Sequence, residues 1–159
     1  MRDATLILPL KGEFILLGRK KRGFGKDKIN GFGGKVKEES IIRAALRELK
    51  EESGLICKEE QLIKHAELEF FFPENKAKEW NQKVHVFIIT SWEGEPKESE
   101  EMTCEKHPLD KLPYEQMWDD DKHWMPYVLE KKKIKAKFYF KEDCNTIDMH
   151  NIVEVEGFD

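Results

Sequence analysis

A chain of 159 residues with 39% hydrophobic and 38% charged residues suits one domain with a buried core and is too apolar for a disordered segment. Its 28 basic and 32 acidic residues leave a net charge of −4, so a nucleic-acid polyanion finds no global attraction and an anionic ligand needs a local device. Three scattered cysteines, Cys57, Cys104 and Cys144, form no CxxC; they argue against a disulfide framework and for a reduced cytoplasmic protein, with mitochondrial and nuclear pools left open.

The opening apolar run "TLILPL" is too short for a signal-peptide core or a membrane span. Residues 5–10 and 14–20, joined by Lys-Gly-Glu, predict paired strands. Residues 20–34 are basic and glycine-rich and predict a loop. From Ser40 the period changes. Ile42, Ala45, Leu46 and Leu49 recur at helical spacing, and Gly54 is placed to stop that helix. "AELEFFF" and "KVHVFIITSW" predict further strands, and the polar "PENKAKEWNQ" between them predicts a loop or hairpin tip. "EGEPKESEEM" reads as an acidic turn. Residues 113–133 predict a loop entering a second helix near Asp121, which tolerates Pro126 only in its first turn. "IKAKFYF" alternates as a strand, and "NTIDMHNI" is a weaker one. No repeat or composition break divides the chain, so residues 1–159 are expected to form a single α/β domain, a mixed sheet flanked by helices.

The first helix carries an electrostatic conflict. Glu48, Glu51 and Glu52 stand at i, i+3 and i+4 and share one face. Like charges at that spacing cost ~0.2–0.5 kcal/mol per pair. The helix C-terminus, where they lie, disfavours negative charge as well. A hard divalent cation reverses the conflict, because Mg²⁺ takes oxygen ligands and bridges carboxylates to substrate phosphates. Arg47 adjoins the cluster with forked donors that can orient carboxylates, and the upstream glycines let backbone approach an ion or phosphate closely. A solvated acidic helix face is the alternative for the triad alone.

The whole stretch "GFGGKVKEESIIRAALRELKEESGL" resembles the signature of the Nudix hydrolases: Gly33, five residues, Glu39, seven residues, Arg47-Glu48-Leu49, Glu51-Glu52 and Gly54-Leu55. The resemblance implies a Nudix fold, of α/β (α+β) class with a mixed β-sheet sandwiched between helices. It also implies Mg²⁺, with Mn²⁺ as a substitute, and hydrolysis of a nucleoside diphosphate linked to another group. Under it, Glu48, Glu51, Glu52 and the Gly33 carbonyl hold the metal, while Glu39 and Arg47 brace the loop and helix. Glu52 or Glu51 takes a proton from the attacking water, or the base lies elsewhere. Glu101 of "ESEEM" completes the metal site from a separate loop, with a solvated acidic turn as the alternative. The loop before Glu39 is one residue shorter than relatives carry, with Gly33 rather than Gly34 standing as the signature's first glycine.

Outside that box, "LLGRKKRGFG", "NGFGGKV", "VHVF", "MWDDDKHWMP" and "LEKKK" resemble the family members that convert oxidised purine nucleoside triphosphates, such as 8-oxo-dGTP and 2-hydroxy-dATP, to monophosphate and pyrophosphate. The positions matching their substrate contacts are Thr5, Lys20, Phe24, Asn30, Phe32 and Phe70, then Trp118, Asp119, Asp120 and Asp121. Gly33, Gly34 and Lys35 of "NGFGGKV" complete the set. The residue types suit the task. Aromatic rings stack on purines, and Asn30 offers a donor and an acceptor to a base edge. Two adjacent carboxyls in a poorly hydrated pocket do not both ionise, so Asp120 and Asp121 can donate as well as accept. Helix capping is the alternative for the Asp run, and for Asp119 above all. Ile29 and Asp119 depart from the pattern, which has Trp and Pro there. The expected partner is a small-molecule purine nucleoside triphosphate, with no nucleic acid, no membrane and a monomeric chain. A Nudix enzyme for a methylated purine triphosphate, a nucleotide sugar or a dinucleotide is one rival reading, and a catalytically silent nucleotide-binding module is the other.

Overall fold

In this computed structural model, which describes residues 1–158, the chain begins with a long strand, β1 (Arg2–Lys11). Residues 4–10 of β1 are all buried, which an unbroken apolar run allows only in a strand covered on both faces. Leu6, Leu8 and Leu10 face one core and Ile7 faces the other, the two-residue period of a strand. Strand β2 (Phe14–Lys20) turns back antiparallel on the end of β1 and carries the short β3 (Ile29–Asn30) within the glycine-rich segment.

Helix α1 (Ile41–Ser53) starts where Ser40 Oγ accepts the Arg43 N–H at 3.1 Å. It stops at Gly54, whose φ of 79° is left-handed. Strand β4 (Ile63–Phe71), helix α2 (Glu74–Trp80) and strand β5 (Gln82–Ile89) follow. Then come β6 (Met102–Pro108), helix α3 (Asp121–Leu129), β7 (Ile134–Phe140) and β8 (Ile147–Glu154). The sheet runs β3-β2-β1-β5-β4-β7-β8, with β6 along β2. It is mixed, because β1·β5 and β4·β7 are parallel and the remaining pairs antiparallel. Helix α1 covers one face through Ala45 and Leu49 against Ile7, Phe32 and Phe87. Helix α3 covers the other through Trp124, Met125 and Val128 against Leu8, Leu68 and Val86. This is the expected α/β arrangement, a mixed sheet between helices.

Four local expectations are corrected. Residues 74–80 form α2 rather than a loop. Pro73 precedes it, Glu74 sits in its first turn and Lys78 near its end, an order that suits the helix dipole. Residues 29–30 form β3 inside the expected loop. Met102, expected to end the acidic turn, instead opens β6, whose residues 103–108 carried no expectation; β6 pairs along the full length of β2. Pro126 is the sixth residue of α3, past the first turn. Its missing N–H deprives the Lys122 carbonyl of a partner, and Lys122 is exposed, so water can serve that oxygen. No described helix is long and apolar enough to cross a membrane.

Candidate active site

The ends of β1, β4 and β5, the glycine-rich segment and the start of α3 enclose a cleft of about 310 Å³. Glu52 lines it from α1 with Lys20 of β2 and Lys35 of the glycine-rich segment, and Asp120 and Asp121 line it from the start of α3.

The site around Glu52 is built on a backbone contact. Phe32 exchanges N–H···O bonds with Ile7 at 2.6 and 3.0 Å, and the Thr5 N–H donates to the Gly34 carbonyl at 2.8 Å. These bonds lay residues 32–34 against β1 so closely that a Cβ on Gly33 would fall 1.9 Å from the Thr5 carbonyl oxygen. The Gly33 N–H is thereby aimed at Glu52, donating to Oε1 at 2.8 Å. A Cβ on Gly34 would meet the Glu48 carboxylate at 2.7 Å, so Gly34 is what gives Glu48 its room.

Arg47 is the hub of the charged groups. It grips Glu39 at 2.5 Å, Glu48 at 2.9 Å and Glu51 at 3.3 Å, and donates to the Lys35 carbonyl at 3.2 Å. The guanidinium holds the Glu39 carboxyl below its usual range. Burial pushes Glu52 up to about 7; the Gly33 N–H and Lys20 oppose that shift, while Glu48 and Glu101 add to it. Glu101 sits on the cleft rim and is held below its ordinary range by Arg22, 2.8 Å away.

Among the described residues no three acidic or His/Cys side chains converge as a finished metal cluster, because Glu48 and Glu51 are turned onto Arg47. The donor chemistry nevertheless fits a hard divalent ion. The candidate ligands are all oxygens, and the half-buried Glu52 carboxylate stands among the charges of Glu48 and Glu101 with, among the described residues, one backbone donor bound to it.

At the start of α3, Asp120 and Asp121 are 4% and 2% exposed. The Trp124 Nε1–H donates to Asp120 Oδ2 at 2.8 Å and to Asp121 Oδ1 at 3.1 Å, while Asp121 Oδ2 has no partner among the described residues. Burial pushes both carboxyls up, and the charge of Asp120 adds to the push on Asp121, which lies well above the ordinary value. The pair therefore holds a proton more tightly than two free carboxyls would. Asn30 accepts the Gly31 N–H through Oδ1 at 2.9 Å, leaving its NH₂ for a ligand. Phe70 stacks on Phe138 at 5.5 Å and Phe140 at 5.9 Å to form a wall. Trp118 faces the cleft with Lys28 Nζ 5.5 Å from its ring centre.

Thr5, Lys20, Phe24, Asn30 and Phe70 thus line the cleft as expected for substrate contacts. So do Gly33, Gly34, Lys35, Trp118, Asp120 and Asp121. Two expectations fail. Phe32 is 0% exposed and packs beneath α1, because its neighbours Gly31 and Gly33 take the cleft side of an extended segment. Asp119 points away, accepting the Ile147 N–H at 2.8 Å and the Lys122 ammonium at 2.9 Å, so it ties the start of β8 to α3. Lining residues that sequence reading missed include Lys28, Phe72, Gln82, Trp124 and Phe140. Trp124 was findable, since it follows the two aspartates at helical spacing. Gln82 and Phe140 reach the cleft only through strand pairing.

A model of the NUDIX domain matches residues 1–128. The chain is 43% identical over 156 residues to the oxidized purine nucleoside triphosphate hydrolase of Mus musculus, covering 97% of this chain and 96% of that one. It is 44% identical over 154 residues to the protein of the same name from Danio rerio, covering 96% and 94%. The solved structure of a mutator MutT protein from Bacillus halodurans superposes with a TM-score of 0.81 at 24% identity, over 96% of this chain and 97% of that one, a likeness of fold. With the loop–helix–loop geometry above, these matches make the chain a member of the Nudix hydrolase family.

Proposed function

We propose that residues 1–159 act as one Nudix domain, a monomer that hydrolyses oxidised purine nucleoside triphosphates, 8-oxo-dGTP and 2-hydroxy-dATP among them, to the monophosphate and pyrophosphate. No nucleic acid or membrane takes part. The observation that carries this reading is the buried Asp120–Asp121 pair, in which burial opposes ionisation, lining the same cleft as Glu52. The full-length likeness to the mouse and zebrafish hydrolases supports the substrate class.

Glu48, Glu51, Glu52, the Gly33 carbonyl and Glu101 would hold Mg²⁺, or Mn²⁺ in its place. That ion, when bound, neutralises phosphate oxygens and makes a bound water far more acidic than bulk water. Lys20 and Lys35, which line the same cleft, would face the triphosphate. Arg47 keeps Glu48 and Glu51 oriented through its fork. Glu52, oriented by the Gly33 N–H, accepts the proton of the water that attacks the β-phosphorus. At the base end a protonated aspartate donates while its ionised neighbour accepts, matching the mixed donor–acceptor edge of an oxidised purine.

A panel of nucleotides tests the proposal: 8-oxo-dGTP, 2-hydroxy-dATP, a methylated purine triphosphate, dGTP, dATP, a nucleotide sugar and a dinucleotide, with kcat/KM for each. Oxidised purines should lead the unmodified ones by at least about tenfold, the value of one well-placed hydrogen bond. A preference for the sugar or the dinucleotide, or no turnover of any of them with magnesium, would overturn it.

A further inference from the structure

Trp80, the last residue of α2, does not line the cleft, yet it joins two parts that do. Its ring centre lies 5.2 Å from that of Phe24 and 5.5 Å from that of Phe72. Phe24 in turn lies 5.3 Å from Trp118, and Phe72 stacks on Phe140 at 4.6 Å. Trp118, Phe24, Phe72 and Phe140 all face the cleft. Trp80 therefore links Trp118 and Phe24 to Phe72 and Phe140 in one run of aromatic contacts.

The segment that carries Phe24 needs such a hold. Gly23 and Gly25 flank it at φ of 80° and 84°, and Asp27 stands at 72°. Among the described residues, the backbone bonds of 23–26 run only to Gly23 and Gly25 within the segment itself. The segment's base is fixed at Lys21, whose N–H donates to the Glu101 carbonyl at 2.8 Å. Asp27 N–H also donates to the Lys20 carbonyl at 2.8 Å, so among the described residues the tip at Phe24 meets the rest of the cleft through its side chain. Phe24 is 61% exposed and touches Trp118 on one side and Trp80 on the other. Gly25 lets the tip lie flat, since a Cβ there would come within 2.8 Å of Trp118.

We propose that Trp80 is a positioning residue for the purine. It holds Phe24 at a fixed distance from Trp118 and the Phe70–Phe140 wall, and so sets the width of the slot that takes a planar base. The helix α2 is then part of the binding apparatus, though none of its side chains lines the cleft. This rests on the purine reading above.

A double-mutant cycle reads the idea directly. Binding of a purine nucleoside monophosphate such as 8-oxo-dGMP is measured by calorimetry without metal for wild type, Trp80→Ala, Phe24→Ala and the double variant. Trp80→Ala should weaken binding about 2- to 10-fold, the range for one aromatic pair. Trp80→Phe, which keeps a ring, should recover most of it. In the Phe24→Ala background the loss of Trp80 should have no further effect, because Trp80 acts through Phe24. In turnover the same substitution should raise KM and leave kcat unchanged or raised.

An equal loss in both backgrounds, or unchanged binding by a folded Trp80→Ala, overturns the proposal while leaving the purine reading intact. Should Trp80→Ala fail to fold, Trp80→Leu, which keeps bulk without a ring, reads the same comparison against Trp80→Phe, and equal affinities overturn it. Wild type that binds no purine nucleotide overturns both readings at once.

Discussion

At the scale of single residues, the cleft sets two kinds of carboxylate apart by what each can touch. Glu52 has, among the described residues, a single backbone donor and lines the cleft where the proposed reaction would place the phosphates. Glutamine keeps its shape and can still accept the Gly33 N–H, so Glu52→Gln should fold and melt like wild type. Pyrophosphate release should fall by about 10²–10⁴-fold, the usual cost of losing a general base. Wild-type-like release with a normal circular dichroism spectrum would remove Glu52 from the chemistry. Asp121 differs, since burial and the charge of Asp120 both oppose its ionisation. Its folded value lies well above the ordinary 3.8, so above 3.8 the folded chain holds more protons than the unfolded one. The stability it contributes is therefore present in acid and is lost as pH rises through the folded value. Asp121→Asn removes that loss while still accepting from Trp124. Thermal denaturation across pH should fall more steeply toward alkali in wild type than in Asp121→Asn, and the variant's ratio of kcat/KM for 8-oxo-dGTP over dGTP should change. Parallel melting curves would show that the pair does not titrate as its burial requires.

At the scale of elements, the loop–helix–loop works because one guanidinium ties its parts together. Arg47 reaches Glu39 from the loop, Glu48 and Glu51 on its own helix, and the Lys35 carbonyl. A lysine is a point charge and cannot span these partners. Arg47→Lys should lower kcat/KM at least about tenfold and destabilise by about 1–3 kcal/mol, as loss of charge-assisted hydrogen bonds does; denaturant unfolding beside the kinetic assay checks both. Helix α1 was legible from sequence because its ends are chemical signals, Ser40 as cap and Gly54 at a left-handed φ. Helix α2 was not, because it has no buried residue and so no apolar stripe to betray its period. Strand β6 escaped for a related reason. Only Met102 in it is buried, and its partner β2 is chosen by the fold rather than by its own pattern. Phe32 shows the converse. Its residue type suits a base pocket, but one step along an extended segment moves a side chain to the opposite face, under α1. Asp120 and Asp121 were readable as a pair, whereas the distinct task of Asp119 depends on a strand 28 residues away.

At the scale of the molecule, the stretch that matches the NUDIX domain ends at residue 128, yet the cleft does not. Phe140 lines it, and Phe138 and Phe140 back the Phe70 ring. Both belong to β7, which pairs in parallel with β4 from Ala66 to Phe71. A chain ending at Leu129 would lack β7 and β8. It would turn β4 into an open edge and remove Ile134, Ala136, Phe138 and Phe140 from the core under α3. Each large apolar side chain contributes about 1.5–3 kcal/mol on full burial. Three of them together rival the 5–15 kcal/mol that typically separates a folded domain from its unfolded state. The 1–129 chain should therefore give no cooperative melt and bind no nucleotide. Among the described residues, a chain ending at Glu154 loses the Val155 N–H bond to the Lys133 carbonyl at 2.8 Å and Phe158, which sits 5.0 Å beneath the Lys64 ammonium, a contact worth about 0.5–1 kcal/mol. It should melt within a few degrees of the full chain and retain its activity. The pair of truncations separates two ideas of where the folding unit ends. If 1–129 melted cooperatively and bound nucleotide, β7 and β8 would be an appendage, and the Phe70 wall would need no backing. If only the longer chain does so, the parallel pairing of β4 with β7 is what holds the base end of the cleft to the rest of the sheet.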